Sequence, residues 1–467
     1  MGTVKLWKIA LFIVVTYILY LLLCLLIPPA FQKSLPEDYQ ADLSDARKNK
    51  NAGEQLLLID ESDDALLWRL RAIESAQERI ILATFDIRND QSGTTLFSVL
   101  HHAAERGVNI QILIDGTAAI YGLHSSAPFR ALAAMPQVEI RLYNPIDLKT
   151  PFTLNYRMHD KYLLIDDDLY ILGGRNSTDY FLGDPNRTTN MDRDVLVYRP
   201  YVNENTSFAQ IEDYFNRIWE QPCCKPLVFS ADQKTAEAEQ ALRAHRAAVM
   251  NTLPAAFETV DWSTVTEEVK SISLWTNGVE PCNKEPLLWN ALYSYMEQGK
   301  QILIQTPYII CNDTMYRGLA HLSDCGKRVD ILTNSTISGA NPFGCTDYLN
   351  QKNSILETGV GVYECIAGKS LHTKTVLIDQ NISIIGSYNL DMRSTYIDTE
   401  MMLVIESNSI NSQLRETAAE LMRKSNYVQP DGTTQTGDLY QPVSLSPGKK
   451  ILTGILRVFS PLFRHIL

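Results

Sequence analysis

His159-Asp160-Lys161-Tyr162-Leu163-Leu164-Ile165-Asp166, followed by Gly173-Gly174-Arg175-Asn176, is the stretch that decides how this chain is read. The pattern returns as His372-Thr373-Lys374-Thr375-Val376-Leu377-Ile378-Asp379, followed by Gly386-Ser387-Tyr388-Asn389. In both copies Lys, Asp, Gly and Asn follow the His at the same four spacings. Five fixed residue types match a random start with odds on the order of 10⁻⁷, so two copies in register mark a duplication rather than a chance motif.

The spacing predicts a hairpin in each copy. Lys161 to Asp166 and Leu169 to Gly174 read as strands, with Asp167-Asp168 as a two-residue turn. That register sets His159 opposite Asn176 and Lys161 opposite Gly174. In the second copy Gln380-Asn381 is the turn, so His372 lies opposite Asn389 and Lys374 opposite Ser387. His and Lys, two apart, share a face. The small residue across from each Lys is expected to leave room for a ligand. Asp166 and Asp379 sit an odd step from their histidines and suit a turn, so both read as structural despite their place in the motif.

Each imidazole needs an acidic partner to fix its tautomer. Asp192-Arg193-Asp194 before Val195 and Asp398-Thr399-Glu400 before Met401 align as acid-x-acid ahead of an apolar strand. The alignment makes Asp194 and Glu400 the candidates. His159, Lys161, Asp166, Asn176, Asp194, His372, Lys374, Asp379, Asn389 and Glu400 are therefore the candidate site residues.

Outward from the motif the duplication continues. Leu66-Leu67-Trp68 leads into Ile80-Ile81-Leu82, as Leu287-Leu288-Trp289 leads into Ile302-Leu303-Ile304. Glu105-Arg106-Gly107-Val108 precedes the run Ile110 to Ile114, as Asp324-Cys325-Gly326-Lys327-Arg328-Val329 precedes Ile331-Leu332. The offsets are 221 for Trp68 and Trp289, 219 for Gly107 and Gly326, and 213 for the two histidines. Helix, glycine stop and β-branched strand, repeated, read as α/β: two similar lobes, each a sheet flanked by helices. Lobe one is expected over 55–225 and lobe two over 271–427. The segment 226–270 between them is Ala/Glu-rich and partly helical by composition, and 428–448 reads as a Gly/Ser/Thr/Pro-rich linker.

The chain has 467 residues, 42 Lys+Arg and 54 Asp+Glu, a net charge of −12. That balance excludes a disordered or fibrous chain and counts against a sequence-independent nucleic-acid binder. Eight cysteines show no CxxC pair or zinc spacing; they read as mostly buried free thiols, with a few disulfides the alternative if the domain faces an oxidising compartment.

Residues 9–27 are uncharged and almost wholly apolar, about 28 Å of helix, close to the bilayer's hydrocarbon thickness. Residues 1–8 form a short tail before this anchor and 28–54 a linker after it, with Pro28-Pro29 ending the helix. A cleaved signal peptide is the competing reading, but no small-x-small cleavage site follows. Lys5 and Lys8 favour a cytoplasmic N-terminus and a catalytic domain on the far side, while Lys33, Arg47, Lys48 and Lys50 oppose that bias. Residues 449–467 interleave Lys449, Lys450, Arg457 and Arg464 with apolar residues, as a tail on a membrane surface or a docked last helix would. Gly454 and Pro461 are expected to interrupt it.

Two facing His-Lys-Asn sets suit a phosphodiester. Ammonium and amide groups hold the non-bridging oxygens. One imidazole attacks phosphorus while the other protonates the leaving alcohol, then deprotonates the acceptor. His159 is assigned as nucleophile and His372 as acid/base. Water as acceptor gives hydrolysis, and an alcohol gives transfer.

The duplicated motif resembles the phospholipase D superfamily. Ser92-Gly93-Thr94-Thr95-Leu96-Phe97, Ala104 to Val108, Val138 to Pro145, Arg157-Met158-His159, Gly173 to Asn176, Asp192 to Val195 and the end Leu462-Phe463-Arg464 are similar to bacterial cardiolipin synthases. The resemblance spans roughly 55–427. It implies a mixed sheet in each lobe, a pseudo-twofold with one active site at the seam, a phosphatidyl-histidine, and no metal or cofactor. It further implies phosphatidyl transfer to phosphatidylglycerol, with phosphatidylethanolamine as a candidate second substrate. A single anchor, where many relatives carry two, and the unplaced Cys223, Cys224, Cys345 and Cys365 depart from the pattern. Hydrolysis by a tethered phospholipase D uses the same residues. A nuclease fits the acidic charge poorly, and a non-enzymatic module would tolerate a broken motif where both are intact. Oligomeric state has no sequence signature here.

Overall fold

The computed structural model of the chain describes residues 2–36, 39–43, 53–117, 122–201 and 205–467. Arg47, Lys48 and Lys50 of the linker, and the Lys5 side chain, lie outside the described residues.

Two nine-stranded mixed sheets organise the chain. The first holds Gln55–Ile59 (β1), Arg79–Thr84 (β2), Asn109–Asp115 (β3), Val138–Tyr143 (β4), Tyr162–Ile165 (β5), Leu169–Gly173 (β6), Asp194–Tyr198 (β7), Cys224–Pro226 (β8) and Glu267–Glu268 (β9), in the order β9-β1-β7-β6-β5-β2-β3-β4-β8. The second holds Ser271–Thr276 (β10), Gln301–Gln305 (β11), Arg328–Asn334 (β12), Gly361–Cys365 (β13), Thr375–Ile378 (β14), Ile382–Gly386 (β15), Met401–Glu406 (β16), Ser425–Val428 (β17) and Thr434–Thr436 (β18), in the order β10-β16-β15-β14-β11-β12-β13-β17-β18. Without the edge strands β9 and β18 the two orders correspond strand for strand. β2, β3 and β4 are mutually parallel, as are β11, β12 and β13. Each motif hairpin, β5-β6 or β14-β15, runs antiparallel beside them.

Period-two alternation sends each central strand into two cores. Ile80 and Leu82 of β2 pack with Leu70, Phe97 and Leu100 under the helices Ser62–Ser75 and Gln91–Glu105. Ile81 and Ala83 face the other way, into a core shared with Leu303, Leu377 and Leu403 of the second sheet. Ile302 and Ile304 pack outward with Leu288, Leu292 and Leu319. Strands buried on both faces must be apolar throughout, which is why the runs read as continuous. The shared core also takes Phe208, Ile211 and Phe215 from helix Ser207–Trp219, and Ile410 and Leu414 from helix Asn408–Arg423. At about 1.5–3 kcal/mol for each large apolar side chain removed from water, this shared core holds the lobes together.

Gly107 and Gly326 end equivalent helices at φ +93° and +76°, the left-handed conformation a helix stop favours. The 226–270 segment forms helix Gln233–Thr252, packed on helices Gln91–Glu105 and Ala127–Ala133, and then the edge strand β9. The 428–448 segment supplies β18, hydrogen-bonded to β17.

Both ends of the chain depart from expectation. The N-terminal helix runs Gly2–Ala30, passing through Pro28 and Pro29. Leu6–Ala30 is long and apolar enough to cross a membrane. The tail helix runs Pro447–Phe463 without interruption at Gly454 or Pro461. A proline frees the carbonyl four residues back. Here that carbonyl is Arg457 O, and Asn350 Nδ2 donates to it at 3.0 Å, so the helix survives.

Candidate active site

The motif hairpins pair in a register one residue from that expected. Tyr162 faces Leu172 and Ile165 faces Leu169. Thr375 faces Ile385 and Ile378 faces Ile382. The connection therefore has three residues, and its first is the motif Asp in the left-handed region: Asp166 at φ 46° and Asp379 at φ 47°. Aspartate tolerates that conformation, and here its carboxylate compensates for it. Asp166 accepts N–H bonds from Gln77, Glu78 and Arg79 at 2.8–2.9 Å. Asp379 accepts from Lys300 and Gln301 at 2.9 Å. Both aspartates thus tie a hairpin turn to the start of the neighbouring strand, at the opposite end from the histidines.

The same shift moves the lysines. Lys161 and Lys374 sit across from Gly173 and Gly386, whose N–H groups donate to the lysine carbonyls at 3.3 Å. Gly174 and Ser387 lie instead against the acids. Space there is filled by carboxylates and not left for a ligand: a Cβ on Gly174 would meet Asp192 Oδ1 at 2.3 Å, while Ser387 Oγ donates to Glu400 Oε2.

The two lobes cross at the histidines. His159 N–H donates to Thr399 O at 3.3 Å, and Met158 bridges Thr399 in parallel. His372 N–H donates to Met191 O at 2.7 Å, beside the parallel pairing of Ser370-Leu371 with Asn190-Met191. The residue after each bridging partner is an acid. Glu400 Oε1 lies 2.9 Å from His159 Nδ1, and Asp192 Oδ2 lies 2.5 Å from His372 Nδ1. Each imidazole is therefore oriented by the carboxylate of the opposite lobe.

Asp194 is a correction. Gly174 N–H donates to Arg193 O as Ser387 N–H donates to Met401 O, so Glu400 corresponds to Asp192. Asp194 points into the first lobe, paired with Arg69 at 3.0 Å and Arg175 at 3.2 Å. The acid-x-acid alignment kept the parity but slipped by two residues. Residue order carried no signal that separates them: a Cβ on Gly173 would meet Asp194 Oδ1 at 2.1 Å, as one on Gly174 would meet Asp192 Oδ1 at 2.3 Å.

Burial and charge set the protonation states. The imidazole side chains are largely buried, 13% and 14% exposed. Burial, with Lys161 and Lys374 nearby, holds His159 well below the usual imidazole range. Burial, with Lys374, brings His372 down to about 4, against the pull of Asp192. Burial brings Lys161 down to about 8 and lowers Lys374. Asp192 resists its own burial because Lys374 and His372 face it, and lies at about 2. Burial raises Glu400 to about 8. The two acids thus differ: Asp192 is a fixed anion 3.7 Å from Lys374 Nζ, whereas Glu400 accepts from Ser387 Oγ and from Ser394 Oγ, the latter at 2.5 Å.

The structure brings together His159, Lys161, His372, Lys374 and Glu400. Asn176 and Asn389 are buried, each with a carboxamide oxygen lacking a hydrogen-bond partner. Several contributors escaped the sequence reading. Phe85 and Phe181 set their edges against His159 and His372, with ring centroids 5.3 and 5.0 Å apart. Asp160, raised by burial to about 7, accepts from Tyr214 Oη at 2.8 Å and Thr399 Oγ1 at 2.9 Å, bracing the lobe crossing. Arg193 reaches Gln305 Oε1 at 3.0 Å and Thr375 Oγ1 at 3.2 Å, fastening the Asp192 segment to the second sheet.

The family described as "Cardiolipin synthase, PLD-like domain" matches residues 70–219 and 293–422, more than half of the chain, and each segment contains one motif hairpin. Cardiolipin synthase C of Escherichia coli (strain K12) is 28% identical over 410 residues, 79% of this chain and 83% of its own length. Cardiolipin synthase A of Klebsiella pneumoniae subsp. pneumoniae is 24% identical over 382 residues, 80% of this chain and 70% of its own. The crystal structure of phosphatidylserine synthase from Haemophilus influenzae Rd KW20 shares the fold, with a TM-score of 0.62 at 17% identity, covering 91% of this chain and 99% of that one.

Proposed function

We propose a function from one premise: the chain belongs to the cardiolipin synthase, phospholipase D-like domain family. It is a phosphatidyltransferase of the phospholipase D superfamily acting on phospholipids. Our finer reading is that it transfers a phosphatidyl group through a phosphohistidine to phosphatidylglycerol. The observation that carries it is the reciprocal pair of cross-lobe contacts, His159 with Glu400 and His372 with Asp192.

A carboxylate at Nδ1 leaves Nε2 as the reacting atom of each ring. His159 Nε2 attacks phosphorus, forming a P–N bond as the bond to the headgroup alcohol breaks. His372, as imidazolium, gives its Nε2 proton to the departing alcohol oxygen. A glycerol hydroxyl of phosphatidylglycerol then enters. His372 takes its proton, the new P–O bond forms, and the P–N bond breaks to restore neutral His159.

The different acids support this division of roles. Asp192, an anion, stabilises an imidazolium on His372 once the substrate's charge offsets the lysines. Glu400, raised by burial, leaves His159 neutral and nucleophilic. Lys161 and Lys374, with the Asn176 and Asn389 carboxamides, hold the non-bridging oxygens. Asp166 and Asp379 support the hairpins and stay outside the chemistry. The N-terminal helix anchors the enzyme in a membrane, and we place the catalytic lobes on the extracytoplasmic side.

The test is the purified chain in phosphatidylglycerol micelles, with and without phosphatidylethanolamine. Cardiolipin is the expected product. Phosphatidic acid alone would replace transfer by hydrolysis, and cleavage of single-stranded DNA with lipids untouched would overturn the lipid reading. A His372→Ala variant is expected to trap labelled lipid on His159 when the leaving group is good. Trapping on His372 in the reciprocal variant alone would reverse the two roles.

A further inference from the structure

The tail helix Pro447–Phe463 presents an apolar stripe that no described part of the chain covers. Ile451, Leu452, Ile455, Val458, Phe459 and Leu462 are all exposed. At 100° per residue they fall within an arc of about 120° on one side of the helix. The other side is the docked one. Ser460 Oγ donates to Asp347 Oδ1 at 3.2 Å, Arg464 pairs with Asp347 at 3.1 Å, and Arg457 Nε donates to Asn350 Oδ1 at 2.9 Å. The stripe therefore points away from the lobe that holds the helix.

A second exposed apolar group lies in the loop between β4 and the first histidine. Ile146, Leu148 and Phe152 are exposed around Asp147 and Lys149. This loop runs alongside the anchor. Tyr17 Oη donates to Leu148 O at 2.8 Å, and Asn155 Nδ2 donates to Leu25 O. Tyr17 is about 20 Å along the helix from Ala30, so the loop passes well beside the membrane-crossing segment rather than stopping at its end. The tail reaches the same helix, where His465 Nε2–H donates to Leu26 O at 2.7 Å. Just after the loop, Arg393 Nη2 donates to Asn155 O at 2.7 Å, and His159 follows four residues later.

We propose that the 146–152 loop and the apolar stripe of the tail helix form, with the anchor, one face that enters the bilayer the anchor crosses, the stripe at the headgroup–acyl boundary near Leu26 and the loop deeper, beside Tyr17. This rests on the membrane-anchored reading above. The occupant is a lipid surface carrying anionic headgroups. The loop and the turn that follows the tail helix are hydrogen-bonded to the anchor, and exposed Lys449 and Lys450 stand at the start of that helix. Through Asn155, four residues before His159, the face adjoins the segment that carries the first histidine.

The test measures depth. Leu148→Trp and Val458→Trp are made in the full chain carrying His159→Asn, so that no turnover is needed. The proteins are reconstituted in phosphatidylglycerol–phosphatidylcholine vesicles with brominated acyl chains. The emission each tryptophan adds over its parent is expected to be quenched, while that added by Val228→Trp, exposed outside this face, is not. Unquenched emission at both positions, with the protein still floating with the vesicles, would overturn the proposal. Emission that instead changes with protein concentration would assign the stripe to a second copy of the chain and overturn it equally. Neither outcome depends on cardiolipin formation, so failure here and failure of the functional reading remain distinguishable.

Discussion

Asp192 of the first lobe lies 2.5 Å from Nδ1 of His372 in the second, although 180 residues separate them. This contact and its counterpart between Glu400 and His159 make the seam a site. Neither lobe alone carries both a histidine and the acid that orients it.

Asp192→Asn is therefore expected to act on the chemistry, lowering kcat for phosphatidyl transfer per folded molecule by about 10–100-fold, the worth of a group that orients a functional imidazole. Asp194→Asn should do the reverse. It strands Arg69 and Arg175, whose side chains are at most 8% exposed, and should cost about 3–5 kcal/mol in urea unfolding. Activity per folded molecule should persist. Equal loss of kcat in both variants would return Asp194 to the site.

The two lobes should respond differently to a methyl group. Gly174→Ala places a Cβ at 2.3 Å from Asp192 Oδ1 and must displace that carboxylate from His372. A kcat loss of about 10–100-fold is expected, as for other groups that orient a functional imidazole. Ser387→Ala removes one donor to Glu400 and creates no clash, so its effect should be the smaller of the two. Kinetics on phosphatidylglycerol vesicles decide the order.

The pH profile should carry an alkaline limb near 8. Burial lowers Lys161 to about 8 in the free enzyme, so its ammonium is lost as pH rises through that value. Glu400 gains a negative charge over the same range, having been raised to about 8. Both changes oppose binding of an anionic phosphodiester. kcat/KM should fall above pH 8, and Glu400→Gln should make the fall shallower. A limb at the ordinary lysine value would contradict the burial argument.

Asp166→Ala and Asp379→Ala should be stability variants. Asp166 accepts three N–H bonds and Asp379 two, and alanine also fits the left-handed φ poorly. A loss of about 2–4 kcal/mol in denaturant unfolding is expected, larger at Asp166. KM and kcat of the folded fraction should be unchanged. A selective kcat loss would instead give the motif aspartates a chemical role.

Local pattern accounts for much of the architecture. Apolar runs buried on both faces, glycine stops at Gly107 and Gly326, and the repeated His-x-Lys hairpin are properties of short stretches, so they were legible along the chain. The hairpin register was not. It depends on whether Asp166 adopts a left-handed φ, and its carboxylate is rewarded for doing so only by N–H groups of Gln77 to Arg79 on another strand. The tail was misread for a similar reason: Pro461 breaks a helix in isolation, and Asn350 from elsewhere satisfies the carbonyl it frees.

The sequence by itself determined that two copies of one imidazole–ammonium hairpin exist, because duplication and two-residue periodicity are written in residue order. Only the tertiary structure decided which acid serves which histidine. That choice turns on a crossing of the lobes at Met191 and Thr399, where parallel backbone pairing between distant segments brings Asp192 and Glu400 across the seam. No property of either segment taken alone distinguishes Asp192 from Asp194. Their difference is the partner that folding places in front of each: an imidazole for one, two buried guanidinium groups for the other.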